Sequence, residues 1–485
     1  MNNKNEKMTN YRWMICAMLF FATTVNYMDR QVLSLTWKDF IAPEFHWTNN
    51  DYGNITATFT LFYAIALLFA GKFVDWMDTK KGYLWAIGVW SVGACLHAFC
   101  GIATSGILAG SWFETFAGAK EMIHTVGDAG LVASTSVTLF IIARFVLAFG
   151  EAGNFPAAIK ATAEYFPKKD RAFSTSIFNA GATVGALGAP VTIPFIAKSF
   201  GWEMAFIAIG ALGFIWMGFW IFVYKKPSVH PRVNSKELAY INQDNDHEVD
   251  IDGKSTAKNI SILKCFKYRQ TWAFIAGKFM TDGVWWFFLF WTPAYLSSVF
   301  GLDSTQSAPQ IFVLYMITLL SIAGGWLPTY FVDKKGMKPF EGRRKAMLIF
   351  AFFPMLTLLA QPLGAMQNVF GASAVWFPVI IIGIAGAAHQ AWSANIFSTV
   401  GDMFPRSMIA TITGIGSMAG GVSSALINKS SGVLFDYAEN TDMTFMGFQG
   451  IESGYFIVFS CCSVAYLIGW LLMRLFLPKY KKVEL

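Results

Sequence analysis

Six charged residues fall inside stretches that are otherwise apolar. Asp29 and Arg30 stand side by side in "VNYMDR", Arg144 and Glu151 are seven apart, and Lys278 and Asp282 are four apart. A charge at mid-bilayer costs at least ~3 kcal/mol on insertion scales, so each of these needs a reason. Carboxylates in such surroundings can take up and release protons, while guanidinium and ammonium groups can hold an anion. Mutual neutralisation into helix-locking salt bridges is the plainer use of the same residues. Neighbours on a helix point about 100° apart, so Asp29 and Arg30 do not satisfy each other and each needs a partner elsewhere. Arg144 and Glu151 share a helix face about 10 Å apart along the axis, too far for a direct pair but suited to a relay or a shared cavity. Lys278 and Asp282, at i and i+4, can pair directly. Either they neutralise each other for insertion, or Lys278 also holds a carboxylate or hydroxyl groups of a bound molecule.

Polar and aromatic groups recur around these charges: Tyr27, Tyr63, Trp285, Trp286, and in "HQAWSAN" His389, Gln390, Trp392 and Asn395. Aromatic faces can cover the C–H surface of a sugar ring while amides and phenols bond its hydroxyls. Most membrane tryptophans are interfacial anchors or packing, and a lone histidine on an apolar helix is more often a packed one. From Lys278 the residues at +4, +7 and +8 are Asp282, Trp285 and Trp286, one helical stripe of charge followed by aromatic surface.

The elements that must hold these residues follow from composition. Of the 485 residues, 55% are hydrophobic and only 14% charged, well below a soluble average of ~25% charged. Apolar runs recur at about the ~20 residues a helix needs to cross a bilayer. In hydrocarbon the backbone must satisfy itself, which selects helices. The sequence predicts an all-α integral membrane protein with twelve transmembrane helices near 12–36, 53–74, 83–104, 134–159, 173–198, 203–224, 271–299, 309–332, 346–364, 373–400, 408–428 and 453–478. The first is read as a retained span, since it lacks a small-residue cleavage site.

Of the 37 Lys and Arg, four (Lys38, Lys120, Lys198, Lys429) fall on one side of that topology and three inside spans, leaving 30 on the other. This asymmetry marks the side with both termini as cytoplasmic. It also accounts for the net charge of +7 without nucleic acid. On this topology Asp29 is expected nearer the outside and Glu151 nearer the cytoplasm. The six cysteines show neither metal-site spacing nor a disulfide framework. The glycine-rich "GIGSMAGG" (414–421) follows no strand and implies no phosphate loop. "GATVGALG" (181–188) reads as small-residue packing between helices. No nucleotide-binding segment is seen, which argues against an ATP-driven pump, and no catalytic cluster or large extramembrane domain suggests an enzyme or receptor.

The chain divides into an N-terminal half (1–224), a hydrophilic linker (225–270) with a short helix at 235–242 and a partly disordered centre, and a C-terminal half (271–485). The halves repeat. "GKFVDWMDTKKG" (71–82) follows the second span and "GGWLPTYFVDKKG" (324–336) the eighth, which sets Asp75 against Asp333. "EYFPKKDRA" (164–172) follows the fourth and "DMFPRSMIA" (402–410) the tenth, an offset that also aligns His389 with Glu151. Internal repeats with a site between them near the midplane are a mark of secondary transporters.

"GKFVDWMDTKKG", with a degenerate second copy in the matching place, resembles the loop signature of the major facilitator superfamily. "NYMDR", "ARFVLAFGEAGNFPAAIKATAEYFP", "GKFMTDGVWWFFLFWTPAYL" and "AHQAWSANIFSTVGDMFPR" are similar to its anion:cation symporter branch, and within it to bacterial hexuronate transporters. The resemblance implies the major facilitator fold and proton-coupled uptake of glucuronate or galacturonate by alternating access. An aldonate or sugar phosphate is the alternative cargo. Asp29, Glu151 and Arg144 are then expected to couple protons. Tyr27, Arg30, Tyr63, Lys278, Trp285, Trp286, His389, Gln390, Trp392 and Asn395 are expected to bind substrate. Asp75, Lys80, Lys81, Asp282 and Asp333 are expected to serve structure and gating. No cofactor or metal is expected, nor enzymatic activity, and the chain is expected to work as a monomer in the inner membrane.

Overall fold

The structure, a computed structural model, describes residues 7–243 and 262–483. The linker segment expected to be partly disordered lies outside the described residues. Helices account for nearly everything else, and the exceptions include a two-residue hairpin, Thr444–Phe445 with Phe448–Gln449.

The spans are α1 (Tyr11–Thr36), α2 (Asn49–Met77), α3 (Thr79–Ala98, continued by Cys100–Ala109), α4 (Ala129–Glu151, continued by Asn154–Tyr165), α5 (Lys168–Phe200) and α6 (Trp202–Val223). Then come α7 (Arg269–Phe300), α8 (Ala308–Thr318, continued by Ala323–Lys335), α9 (Pro339–Phe352, continued to Gly364), α10 (Trp376–Met403), α11 (Arg406–Asn440) and α12 (Ile451–Phe476). Eight are long and apolar enough to cross a bilayer, and the bent pair in α3 makes nine. The other three are α1, α7 and α11, which hold Asp29 and Arg30, Lys278 and Asp282, and Lys429, Asp436 and Glu439. Phe69 and Phe222, 60% and 82% exposed, belong to a broad apolar outer band, the surface of a chain that faces lipid.

Several spans depart from simple helices. α3 bends by 51° at Phe99. α4 breaks at Ala152–Gly153, immediately after Glu151. α9 tightens to a 3₁₀ turn over Phe353–Leu359, where Pro354 lacks the N–H an α-helix requires. The long loop after α3 holds a further helix, Phe116–His124, and the linker helix spans Ser235–Ile241.

The repeat is visible in backbone geometry. Phe166 and Phe404 are extended (φ −126°, ψ 133° and φ −110°, ψ 147°), and each is followed by a proline that opens α5 or α11. Asp78 and Gly336, matched by the offset between the loop signatures, both have positive φ (68° and 63°), a region glycine enters freely and aspartate tolerates better than most.

α1 packs along α5, and α2 along α11 across the boundary between the two six-helix sets. Gly181 and Gly185 allow the first contact: a Cβ there would lie 2.4 and 2.3 Å from the carbonyl oxygens of Phe20 and Thr24. The small-residue reading of "GATVGALG" therefore holds.

Candidate functional site

Arg30 stands at the centre of the first wall. α1 carries it to the level where α4 breaks, and its Nε donates to Glu151 Oε2 at 2.7 Å while Nη2 donates to the Tyr63 hydroxyl at 2.8 Å. The guanidinium also lies over the rings of Tyr63 (4.5 Å), Tyr27 (5.1 Å) and Trp286 (5.6 Å), cation–π contacts of the kind that strengthen away from water. Glu151 is held by close packing. A Cβ on Gly150 would meet the Trp90 nitrogen at 2.3 Å, so α3 and α4 touch there backbone to backbone.

Asp29 points elsewhere, as the 100° rotation requires. It is 1% exposed, and neither carboxylate oxygen finds a hydrogen bond among the described residues. Arg144, 2% exposed, lays its guanidinium over Phe59 at 5.1 Å. Asp29, Arg144 and Glu151 act on one another electrostatically. The two carboxyl groups, expected at different depths, therefore share one buried patch. Arg144, two turns from Glu151 on its own helix, acts on it at a distance, while the direct partner of Glu151 is Arg30, which α1 brings closer.

The facing wall comes from the second set. Lys278 Nζ pairs with Asp282 Oδ2 at 2.6 Å and lies 4.3 Å over the Phe397 ring. Asp282 is boxed in, since a Cβ on Gly420 of α11 would come within 2.1 Å of its Oδ2. His389 shares an Nδ1 contact of 2.7 Å with the Tyr466 hydroxyl and stacks on Trp285, rings 5.3 Å apart and 4° from parallel.

Between the walls is a cavity of about 220 Å³ lined by Tyr27, Arg30, Tyr63, Lys278, Trp285, Trp286, His389 and Gln390, which sequence placed around a bound molecule, by Asp282, which it placed with structure and gating, and by Thr60, Ser393, Phe397 and Ser417 besides. A second chamber of about 400 Å³ shares Tyr27, Trp285, Gln390, Ser393 and Phe397 and brings in Asn179, Thr183 and Ser321. Together they match the size and mixed lining of small-molecule sites. Other grooves, such as the one between Phe69, Trp85 and Phe149, are apolar, carry no charge and open on the lipid face.

Two expected contacts are corrected. Trp392 is fully buried against Tyr466, and Asn395 donates to the Gly324 and Ala391 carbonyls, so both pack α10 onto its neighbours and neither lines the cavity. Positions 389, 390, 393 and 397 form the cavity face, and the i, i+3/i+4 spacing from Gln390 was the signal for Ser393. Lys80 donates to the Ile221 carbonyl at 2.6 Å inside its own half. Lys81 and Asp333 are exposed, and the Asp75 side chain lies outside the described residues.

A family model described as "Major Facilitator Superfamily" matches residues 19–427. The chain is 28% identical over 434 residues to a hexuronate transporter of Escherichia coli, covering 89% of each. It is 24% identical over 458 residues to a probable galactarate/D-glucarate transporter of the same organism, covering 92% of this chain and 93% of the other. Among solved structures, a bacterial homologue of the human lysosomal transporter Spinster, inward-facing and unoccupied, superposes with a TM-score of 0.69 at 18% identity, over 97% of this chain and 99% of the other. Twelve helices in two packed sets of six, a polar cavity between them, and a family match across most of the chain carry one conclusion: this multi-pass membrane protein belongs to the major facilitator superfamily and is a transporter rather than an enzyme.

Proposed function

We propose that the protein is a proton-coupled symporter that takes up hexuronates across the bacterial inner membrane. The observation that carries this reading is the Arg30–Glu151 pair, in which Arg30 lines the cavity and Glu151 is buried behind it. A substrate carboxylate and the Glu151 carboxylate compete for one guanidinium. Protonating Glu151 from outside frees Arg30 to take the anion, so proton and sugar acid load together. After the two halves (1–224 and 271–485, joined by 225–270) rock about the cavity, the proton leaves to the cytoplasm, Glu151 reclaims Arg30 and the anion is released. Asp29 and Arg144, in the same buried patch, hold and steer the proton, since a nearby cation favours a carboxylate's charged form. Tyr27, Tyr63, Trp285 and Trp286 cover the sugar ring, while Gln390 and His389 offer polar contacts. The side bearing both termini is cytoplasmic, in line with the distribution of Lys and Arg, and the working unit is a single chain.

The name of the Escherichia coli relative supports hexuronate as cargo. A second reading, an aldarate with two carboxylates, is favoured by Lys278, a second cation on the opposite wall, and by the name of the galactarate/D-glucarate relative. Uptake of labelled glucuronate into oriented vesicles tests the first. Accumulation should require an inward proton gradient and collapse with a protonophore, whereas equal uptake without the gradient would remove the coupling. Unlabelled galactarate competing better than galacturonate would favour the second.

A further inference from the structure

We propose that Asp436, on α11 of one half, clasps the N-terminus of α2 of the other and holds shut the end of the transport path remote from the chain termini. The first N–H groups of a helix have no partner within it. In α2 two of them, on Asn49 and Asn50, each donate at 2.8 Å to the two oxygens of the Asp436 carboxylate. A carboxylate placed there gains two charge-assisted bonds and the favourable end of the helix dipole. The contact is reinforced from both directions. Glu439 accepts from Asn49 Nδ2 at 3.2 Å, and Lys429 Nζ donates to the side-chain oxygens of Asn50 (2.6 Å) and Asn54 (2.5 Å).

The two helices meet at that end without side chains between them. A Cβ on Gly432 would come within 2.6 Å of the Asn49 carbonyl oxygen, and one on Gly53 within 2.8 Å of the Asn428 carbonyl oxygen. Packing this close suits one arrangement of the halves and must be undone if they separate there. Asp39, beyond α1, bridges the halves at the same end by accepting from Ser297 Oγ (3.2 Å) and the Ser304 N–H (2.6 Å). Alternating access requires this interface to part, so the strength of the Asp436 clasp sets how often the path opens at that end. The inference rests on the proposed alternating access for the parting of this interface, and on the proposed orientation for which face of the membrane that end meets.

The test uses the full chain with its six cysteines replaced and one reporter, Thr56→Cys, two turns inside the clasp on the α2 stripe that leads through Thr60 to Tyr63. A membrane-impermeant maleimide is applied in turn to each face of oriented vesicles, with Phe113→Cys, in the exposed loop, as the control for insertion. Asp436→Ala should raise the labelling rate from the remote face roughly tenfold, the change expected when a charge-assisted hydrogen bond is lost. Asn49→Pro should act alike. It deletes the Asn49 N–H, together with the side-chain bonds of Asn49 to Glu439 and Lys38, while leaving the Asp436 carboxylate, and Thr48, extended at φ −88°, ψ 170°, already has the conformation that precedes a proline at the first helical position. Unchanged labelling in both, with the control intact, overturns the clasp. So does a rise in Asp436→Ala without one in Asn49→Pro, because the carboxylate then acts through something other than the helix end. Should Asp436→Ala fail to insert, Asn49→Pro and Lys429→Ala carry the same comparison. Labelling from the face assigned as cytoplasmic would count against the orientation alone, since the ratio of variant to parent judges the clasp on whichever face reaches the reporter.

Discussion

Arg30 Nε and Glu151 Oε2 lie 2.7 Å apart although 121 residues separate them in the chain, and both side chains are almost fully buried. An ion pair this deep adds little net stability, yet removing one partner strands the other and costs about 3–5 kcal/mol. Pairing is therefore a poor reason to keep both charges and a good reason for them to trade partners.

If they trade partners, the neutral isostere Glu151→Gln should abolish proton-driven accumulation and still exchange labelled for unlabelled glucuronate, because Arg30 is left free for the anion. Asp29→Asn should also lose accumulation. Wild-type accumulation by both variants under an imposed pH gradient would refute the coupling.

Arg30→Ala should lose uronate binding in calorimetry on purified protein and melt earlier by the stranded charge. Arg30→Lys should recover binding only in part, since an ammonium does not reproduce the planar fork. Combining Arg30→Met with Glu151→Gln should restore much of the thermal stability without restoring binding, which separates folding from recognition. Affinity equal to wild type in Arg30→Ala would end the assignment.

Lys278 and Asp282 pose the same question on the facing wall. Were they only a neutralised pair, Lys278→Met together with Asp282→Asn would transport nearly as well as wild type. Because Lys278 lines the cavity, the double variant should be as inactive as Lys278→Met alone, scored by initial uptake rates. Gly420→Ala, which forces a methyl group into the Asp282 carboxylate, should destabilise by about 1–3 kcal/mol, the usual range for overpacking.

Glu44, in the short helix Ala42–Phe45 beyond α1, is 3% exposed. Burial pushes its pKa from 4.5 up to about 7, against the Trp202 Nε1 hydrogen bond (2.9 Å) and Lys120, and with Glu203 adding to the rise. An acid whose pKa rises on folding binds its proton more tightly in the folded state. Its contribution to stability is therefore intact below about pH 4.5 and is lost as pH rises towards 7. At ~1.4 kcal/mol per pKa unit the loss reaches roughly 3 kcal/mol. Melting in detergent should fall between pH 5 and 8 in the wild type and flatten in Glu44→Gln. An identical slope in the two would show that Glu44 is not the group responsible.

The sequence by itself determined the helices, because in lipid the backbone has no other way to satisfy itself, and it determined the repeat. The Phe-Pro turns that open α5 and α11, and the positive φ shared by Asp78 and Gly336, are local and follow from the residue types that adopt them. It also established that Arg30 needed a partner, since helix geometry alone turns Asp29 away. Only the tertiary structure decided that the partner is Glu151, that Trp392 and Asn395 turn from the cavity while Ser393 enters it, and that Asp436 caps a helix of the other half. The reason is the same in each case. Periodicity fixes which residues share a face of a helix, but "HQAWSAN" puts polar residues on more than one face of α10, so nothing along the chain says which of those faces meets the cavity. Rotation about each axis is set by which neighbouring helix packs there, through contacts between residues far apart in sequence.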